Sequence, residues 1–144
     1  MPITLTLSEG LLTPEAQSQA FADLTHALLD VSGLEGNAFM EPNTVGTLHI
    51  LPANHVFSGG SPVAAAFVEL KLPSIALTSP ESRQAFIERA TDVLDKAAGG
   101  KLERRHIWAN VVYAVDGAWG IAGKSYDNAG LISEIQAAAA QPPA

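Results

Sequence analysis

The stretch Met1-Pro2-Ile3-Thr4-Leu5-Thr6-Leu7 decides how the chain begins to fold. Apolar Ile3, Leu5 and Leu7 alternate with polar threonines, which is the period-two pattern of a strand with one buried face. Because the pattern starts almost at the terminus, we expect the N-terminus to be held in a sheet. Initiator methionine is normally removed before a small second residue, and Pro2 would then carry a basic secondary amine at the start of this strand.

Two interpretations of Pro2 follow from this position. A proline at the first position of a strand costs no ladder hydrogen bond, so Pro2 could do no more than begin the strand. A free prolyl amine in apolar surroundings would instead be a general base, because burial disfavours the ammonium form and lowers its pKa toward neutrality. The surroundings of the amine therefore decide what Pro2 does.

Composition narrows the class of protein. The chain has 144 residues, no cysteine and a net charge of −7, with eight lysines and arginines scattered along it. The length indicates one domain with a sizeable core. Without a basic cluster, nucleic acid and anionic membrane surfaces are poor partners, and without cysteine there is no disulfide or thiol nucleophile. No 18-residue apolar run and no leader pattern occurs, so we expect a soluble, cytoplasmic protein.

Two segments of the chain carry the same signals in the same order. Thr13-Pro14-Glu15 and Ser79-Pro80-Glu81 each read as a helix N-terminus, with a capping hydroxyl, proline at the first helical position and an acidic residue. Apolar residues at helical spacing follow both, and the stripes end at Gly33 and Gly99. Predicted strands flank these helices at Val45–Leu51, Ala64–Leu72 and Ile107–Val115.

This order of elements predicts the fold class. Two strand-helix-strand repeats, about residues 2–52 and 64–115, give an α/β (α+β) fold with a four-stranded sheet and two helices on one face. Each connection makes the two strands that it joins parallel. Asp116-Gly117 is a hairpin signal that predicts the return of Ala118–Ala122 beside the last strand. With a short helix from Asp127, we expect a single domain over residues 1–136 and a flexible tail over residues 137–144.

Two helices leave the other face of the predicted sheet uncovered. That face still carries apolar side chains, because both sets of alternating positions in Ala64–Leu72 and Ile107–Val115 include them. A partly apolar uncovered face predicts burial against copies of the same chain. We therefore expect a homo-oligomer with a site between subunits.

Three features together resemble the tautomerase superfamily: Pro2 directly after Met1, the doubled strand-helix-strand, and the segment LHILPANHVFSGGS (Leu48–Ser61). The superfamily includes 4-oxalocrotonate tautomerase, 5-(carboxymethyl)-2-hydroxymuconate isomerase, macrophage migration inhibitory factor and cis-3-chloroacrylic acid dehalogenase. Over about residues 2–126 the chain is similar to the longer, internally duplicated members, which are trimers. The positions that carry the pattern are His49, Pro52, Phe57, Gly59, Gly60 and the stretch RRHIWANVVY from Arg104.

The resemblance implies a function and a set of site residues. Pro2 matches the catalytic proline, a general base that moves a proton between oxygen and carbon of an enol or between two carbons of an unsaturated acid. Asn110 matches an asparagine that migration inhibitory factor presents from a neighbouring subunit, and Trp108 stands where that protein has a tyrosine. Trp119 is expected to wall the cavity, and Lys71 is the cation available for a substrate carboxylate. The implied protein is a homotrimeric tautomerase that needs no cofactor and acts on a small 2-oxo, enol or unsaturated carboxylate.

The chain departs from the dehalogenase-type members of the superfamily at two places. Those members have arginines where this chain has Pro73 and Ser74, and Leu28 replaces a histidine on the first helix. Lys71 lacks the bidentate fork of arginine, and a surface ion pair with Glu69 is its alternative role. These departures favour simple proton transfer over chemistry that adds water.

Three functions stay open at this point. The first is a tautomerase or isomerase with Pro2 as the base. The second is a decarboxylase or hydratase of the same superfamily. The third is a non-catalytic trimeric homologue that keeps Met1, since the amide formed with Met1 would leave the Pro2 nitrogen without basicity.

The other polar motifs have simpler interpretations. The four histidines have no zinc-ligand spacing, so we expect no metal; they are His26, His49, His55 and His106. Gly59-Gly60 lacks the lysine and the helix start of a phosphate-binding loop, and it predicts a turn with positive φ.

Overall fold

Strands and helices alternate along the chain in the computed structural model, which describes residues 1–141. The elements in chain order are β1 (Ile3–Ser8), α1 (Pro14–Ser32), β2 (Gly46–Leu51), β3 (Phe57–Ser58), β4 (Ser61–Pro62), β5 (Ala66–Pro73), α2 (Pro80–Ala98), β6 (Ile107–Ala114), β7 (Trp119–Ile121), β8 (Lys124–Tyr126) and α3 (Asn128–Ala139). A 3-10 turn at Arg104–His106 leads into β6.

Four of the strands form the central sheet, in the order β2-β1-β5-β6. β1 pairs in parallel with β2, and β5 pairs in parallel with β6, as a helical connection requires. The two halves meet at the antiparallel pair of β1 and β5, where Ile3 lies opposite Leu70. The predicted four-stranded sheet with two helices on one face is confirmed.

The ends of α1 and α2 are fixed by local chemistry, as the sequence predicts. The hydroxyls of Thr13 and Ser79 accept hydrogen bonds from backbone N–H groups three residues further on, at 3.1 and 3.0 Å. Both helices end at a glycine in the left-handed conformation, with φ of 67° at Gly33 and 56° at Gly99. Each N-cap contributes roughly 0.5–2 kcal/mol, so local sequence determines where both helices begin.

The core lies between the sheet and these two helices. Alternate residues of β1 and β5 point into it, and the next residues along each strand point to the uncovered face, because side chains alternate along a strand. The largest fully buried side chains include Ile3, Leu5, Leu7, Leu24, Leu28, Leu70, Leu72, Phe86 and Leu94. Phe67, Glu69 and Lys71 of β5 share the uncovered face with Trp108, Asn110 and Val112 of β6, their partners in the strand register.

The first helix approaches β2 so closely at Gly46 that no side chain fits there. A Cβ added at Gly46 would lie 2.2 Å from Cζ of Phe21 and 2.7 Å from the carbonyl oxygen of Ile3. The aromatic ring of α1 therefore packs directly on the backbone of β2. Since Gly46 opens the strand beside β1, this contact helps to position the start of both strands.

The prediction that Ala118–Ala122 returns beside the last strand is wrong. The chain does turn at Asp116-Gly117, where Ala118 N donates to Val115 O at 3.0 Å and Gly117 has φ of 86°. β7 then pairs with β8 in a separate two-stranded sheet instead of with β6. The hairpin turn is Ala122-Gly123, with φ of 50° and 82°. Two successive positive φ values are typical of a type I′ turn, and alanine is an unusual residue for the first of them.

The turn predicted at Gly59-Gly60 is confirmed. It joins β3 to β4, and the two glycines have φ of 56° and 81°. Both values lie in the left-handed region, which side chains other than glycine rarely enter.

The last helix is longer than the sequence indicates. Asp127 caps α3 by accepting a hydrogen bond from Gly130 N at 2.7 Å, and the helix continues to Ala139. It therefore includes Ala137–Ala139, which the sequence assigns to the tail; residues 142–144 of that tail lie outside the described residues. The side-chain amide of Asn37 donates to Ile135 O at 3.0 Å and holds α3 against the loop after α1. None of the helices over residues 1–141 is long and apolar enough to cross a bilayer.

Candidate active site

The N-terminal residues are fixed between β2 and β5. Lys71 N donates to Pro2 O at 3.0 Å, Val45 N donates to Met1 O at 3.2 Å, and Ile3 N donates to Val45 O at 2.8 Å. Pro2 is partly buried between these contacts. The expectation that the N-terminus is held in the sheet is confirmed, and the missing N–H of Pro2 leaves no gap in the ladder.

A cavity of about 430 Å³ opens beside Pro2, and we call it the site cavity. Its polar side is formed by Pro2, Asn43 and Lys71. The rest of its wall is mostly apolar and comes from the loop before β2, the end of β6 and the β7 hairpin. It includes Val45, Val112, Tyr113, Trp119 and Ile121. A mostly apolar cavity with a few convergent polar groups is typical of a site for a small molecule.

Three of the five residues that the sequence proposes for a site line this cavity together. Pro2 directly precedes β1, Lys71 is in β5, and Trp119 is in β7. The backbone hydrogen bond between Pro2 and Lys71 keeps the first two at the same end of the sheet. Trp119 lines the cavity from β7, which follows the turn after β6.

The other two proposed residues lie elsewhere on this chain. Trp108 and Asn110 are on the uncovered face of β6, opposite Phe67 and Glu69 in the strand register. The Trp108 ring stacks on Phe67, with the ring centroids 5.2 Å apart and the planes at 14°. Asn110 is exposed. Neither residue lines the site cavity of its own chain.

Lys71 lies close to a carboxylate and remains accessible. Its Nζ is 3.5 Å from Oε1 of Glu69, and the two side chains are 56% and 47% exposed. An exposed pair of this kind contributes only about 0–1 kcal/mol, so the ammonium can leave Glu69 at little cost. Among the described residues that line the site cavity, Lys71 is the one lysine or arginine.

The terminal amine lies in poorly hydrated surroundings. The α-amine of Met1 donates a hydrogen bond to Asn43 O. Burial lowers the pKa of this amine from 8.0 to about 6, because desolvation disfavours the ammonium form. The Met1 side chain is 2% exposed and belongs to the hydrophobic core.

Two backbone groups of the site have no signal in the sequence. The N–H of Val45 and the carbonyl of Asn43 both face the N-terminal residues, and both lie in the loop before β2, where the residue type does not reveal where a backbone group points. Tyr113 also lines the cavity, but its hydroxyl is engaged because it donates to Leu77 O at 2.7 Å.

The histidines lie away from the site cavity. Nε2 of His49 is 3.1 Å from Oγ1 of Thr47, and Nδ1 of His55 is 3.1 Å from the carbonyl oxygen of Ala53. His26 is 3.5 Å from Glu35 on an exposed surface. Within residues 1–141, no three histidine and carboxylate side chains are grouped as a metal site requires.

Several solved protein structures superimpose on this chain. A solved member of the cis-3-chloroacrylic acid dehalogenase (cis-CaaD) family superimposes with a TM-score of 0.76 at 16% identity, covering 99% of this chain and 93% of the other. A fused 4-OT wild type symmetric trimer gives a TM-score of 0.75 at 16% identity, covering 91% of this chain and 98% of the other. The macrophage migration inhibitory factor of Toxoplasma gondii gives 0.70 at 13% identity, covering 88% and 100%.

Sequence comparison adds no closer relative, because no family model and no curated protein matches the chain. At 13–16% identity the superpositions establish the fold. They confirm the fold that the doubled strand-helix-strand predicts. This chain has the fold of the tautomerase superfamily, in the form in which one chain contains both β-α-β halves.

Proposed function

We propose that the chain, once Met1 is removed, is a tautomerase or isomerase in which Pro2 is the general base. The observation that carries the proposal is the shared cavity of Pro2 and Lys71, which provides a base and a cation for one small acid. The mostly apolar wall beside Pro2 supports it, because apolar surroundings disfavour the ammonium form of an amine. A general base works best when its pKa is near the pH of the reaction.

The proton transfer needs only residues of the cavity. Lys71 holds the carboxylate of a 2-oxo, enol or unsaturated acid as a point charge. The unprotonated Pro2 nitrogen takes a proton from one oxygen or carbon of the substrate, and the resulting prolyl ammonium returns that proton to another carbon or oxygen. Trp119 and the apolar wall keep water from the enolate during the transfer. No atom is gained or lost, so the reaction is an isomerisation.

We also propose a homotrimer that is assembled through the uncovered face of the sheet. Phe67, Trp108 and Val112 give this face apolar area, and Val112 is 45% exposed in the single chain. Burial against a second copy would cover it. In such an assembly Trp108 and Asn110 can reach the site cavity of a neighbouring subunit, and Asn110 can then donate to a carboxylate or enolate oxygen.

The main competing function is a non-catalytic protein that keeps Met1. Its support is the close fit of Met1, whose side chain is buried and whose carbonyl oxygen accepts from Val45. A decarboxylase or hydratase has less support, because the described lining of the cavity offers Lys71 and no second cation. The mass of the purified protein from its own host shows whether Met1 is present, and so distinguishes the tautomerase from the non-catalytic protein.

The test uses the enol of phenylpyruvate as the probe, with ketonisation followed by absorbance. A chain that starts at Pro2, as verified by intact mass, is expected to accelerate ketonisation. The same chain made with methionine aminopeptidase inhibited keeps Met1, and it should be inactive because its Pro2 nitrogen is an amide. A Pro2→Ala chain is expected to lose most of the rate. Equal rates with and without Met1 would refute the proposal.

A further inference from the structure

Met1 lies between two cavities. It lines the site cavity, and it also lines a second cavity of about 340 Å³ on its other side, which we call the inner chamber. The walls of the inner chamber come from the end of α1, the turn after β5 and α3, and they include Val31, Leu34, Ile75, Leu77 and Leu131. Among the described residues, Met1 is the one that lines both cavities.

The inner chamber contains a polar atom whose hydrogen bonding is not satisfied by the described residues. Ser32 lines it, and the Ser32 hydroxyl oxygen is buried without a hydrogen-bond partner among the described residues. A buried polar atom without a partner is rare in a finished core. A pocket lined mostly by apolar side chains is typical of a site that holds the apolar part of a small molecule.

Met1 itself shows how an acid with an apolar arm can be held. The carbonyl carbon of Met1 is bonded to the Pro2 nitrogen, and its carbonyl oxygen accepts a hydrogen bond from Val45 N–H at 3.2 Å. Its side chain is 2% exposed between the two cavities. Excision of Met1 removes the acceptor of the Val45 N–H hydrogen bond and also empties the space that the Met1 side chain occupies. Both changes occur beside the Pro2 nitrogen, which becomes the free amine.

We propose that removal of Met1 joins the site cavity to the inner chamber, and that the substrate is an enol or 2-oxo acid with an extended apolar arm in the space that the Met1 side chain leaves. This inference rests on the proposed function and specifies its substrate class. The carboxylate lies at Lys71, the keto or enolate oxygen accepts from Val45 N–H, and the arm enters the inner chamber past Pro2. The reacting carbon lies in van der Waals contact with the Pro2 nitrogen, further out than the bonded Met1 carbonyl.

The experiment measures two properties for straight-chain 2-oxo acids from pyruvate to 2-oxooctanoate. One is the dissociation constant by calorimetry, and the other is the exchange of the C3 protons with deuterium in D2O. For the chain that starts at Pro2, affinity is expected to rise about fourfold per added methylene until the chamber is full. For the chain that retains Met1, affinity should not depend on length, because the side chain of Met1 blocks the way.

Two variants test whether the arm enters the inner chamber. Ala76 lines that chamber but not the site cavity, so Ala76→Leu is expected to lower the affinity for the longest acids toward that for pyruvate. Ile132 is 37% exposed at the chamber and tolerates truncation better. Ile132→Ala should shift the preferred acid to a longer chain, which keeps the proposal testable if Ala76→Leu does not fold.

The outcomes separate the inference from the proposed function. Exchange that is independent of chain length, or the same length dependence with and without Met1, would overturn the joined chamber and leave the base role of Pro2 standing. Binding that depends on chain length without any C3 exchange would overturn the proposed function and support the joined chamber. Exchange and affinity that rise together with chain length only after Met1 removal would support both.

Discussion

The backbone N–H of Lys71 donates a hydrogen bond to the carbonyl oxygen of Pro2 at 3.0 Å. This bond belongs to the antiparallel pairing of β1 with β5, the strands that join the two halves of the chain. The spacing between the proposed base and the cation is therefore set by the sheet and not by a loop. Sites built on regular elements are held more rigidly than sites built on loops.

Removal of the Lys71 charge is expected to weaken substrate binding. Lys71→Ala should raise KM for phenylpyruvate enol about tenfold to a hundredfold with a smaller change in kcat, because a hydrogen bond to a charged group contributes about 1.5–3 kcal/mol. Lys71→Arg should restore most of the loss, since the charge is kept. The measurement is steady-state kinetics, with Lys101→Ala as a control at an exposed position outside the cavity. A loss in kcat alone would contradict the assigned role.

The amine of Met1 should make the stability of the Met1-bearing chain depend on pH. Its pKa is about 6 in the folded chain and 8.0 as the reference for the unfolded chain, so the unfolded state binds more protons between these values. The free energy of unfolding therefore rises as the pH increases from about 6 to 8, and this contribution is lost below pH 6. Urea midpoints at pH 5.5 and 8.5 measure it. The control is the N-formyl chain, which has no ionisable amine; an equal pH dependence in that chain would contradict the assignment.

Local signals in the sequence account for much of the fold. The period-two pattern of Ile3, Leu5 and Leu7 gives β1, and the caps at Thr13 and Ser79 give the starts of α1 and α2, because each depends on residues that are neighbours in sequence. For β7 the sequence predicts the wrong partner strand, because its pairing with β8 depends on a turn that has no strong signal. Its turn places Ala122 at positive φ, whereas the Asp-Gly signal lies at the turn between β6 and β7, which do not pair.

For the candidate site, the sequence suggests residues only where a side chain carries the chemistry. Pro2 and Lys71 have distinctive side chains, and the pairing of β1 with β5 brings them together. Trp119 lines the same cavity from the separate β7 hairpin. The backbone N–H of Val45 and the inner chamber have no counterpart in residue type. They arise where the loop before β2, the end of α1 and α3 meet, and such long-range packing is not encoded in any short stretch of sequence.

Substitution of Gly46 should test the packing of α1 on β2. Gly46→Ala is expected to destabilise the fold by about 1–3 kcal/mol, the usual cost of overpacking, because the added Cβ would meet Phe21 at 2.2 Å and the fixed carbonyl of Ile3 at 2.7 Å. Phe21→Leu in the same chain should recover only part of the loss, since the carbonyl cannot move. Urea unfolding measures both. Gly120→Ala is the matched control, because a Cβ there meets nothing within 4 Å, and an equal effect at both glycines would refute the packing explanation.

A charge on the uncovered face of the sheet should separate the subunits of the proposed trimer. The unmodified chain is expected to have a molar mass in solution of three times 15.0 kDa by light scattering. Trp108→Glu should reduce it to a single 15.0 kDa chain, because a carboxylate buried without a partner costs several kcal/mol while the stacked ring of Phe67 loses its cover. Ala22→Glu, at an exposed position of α1, should remain trimeric. Circular dichroism checks that the variants stay folded. A folded Trp108→Glu trimer would show that the interface lies on another surface. Asn110 would then have no path to the site cavity of a neighbouring subunit.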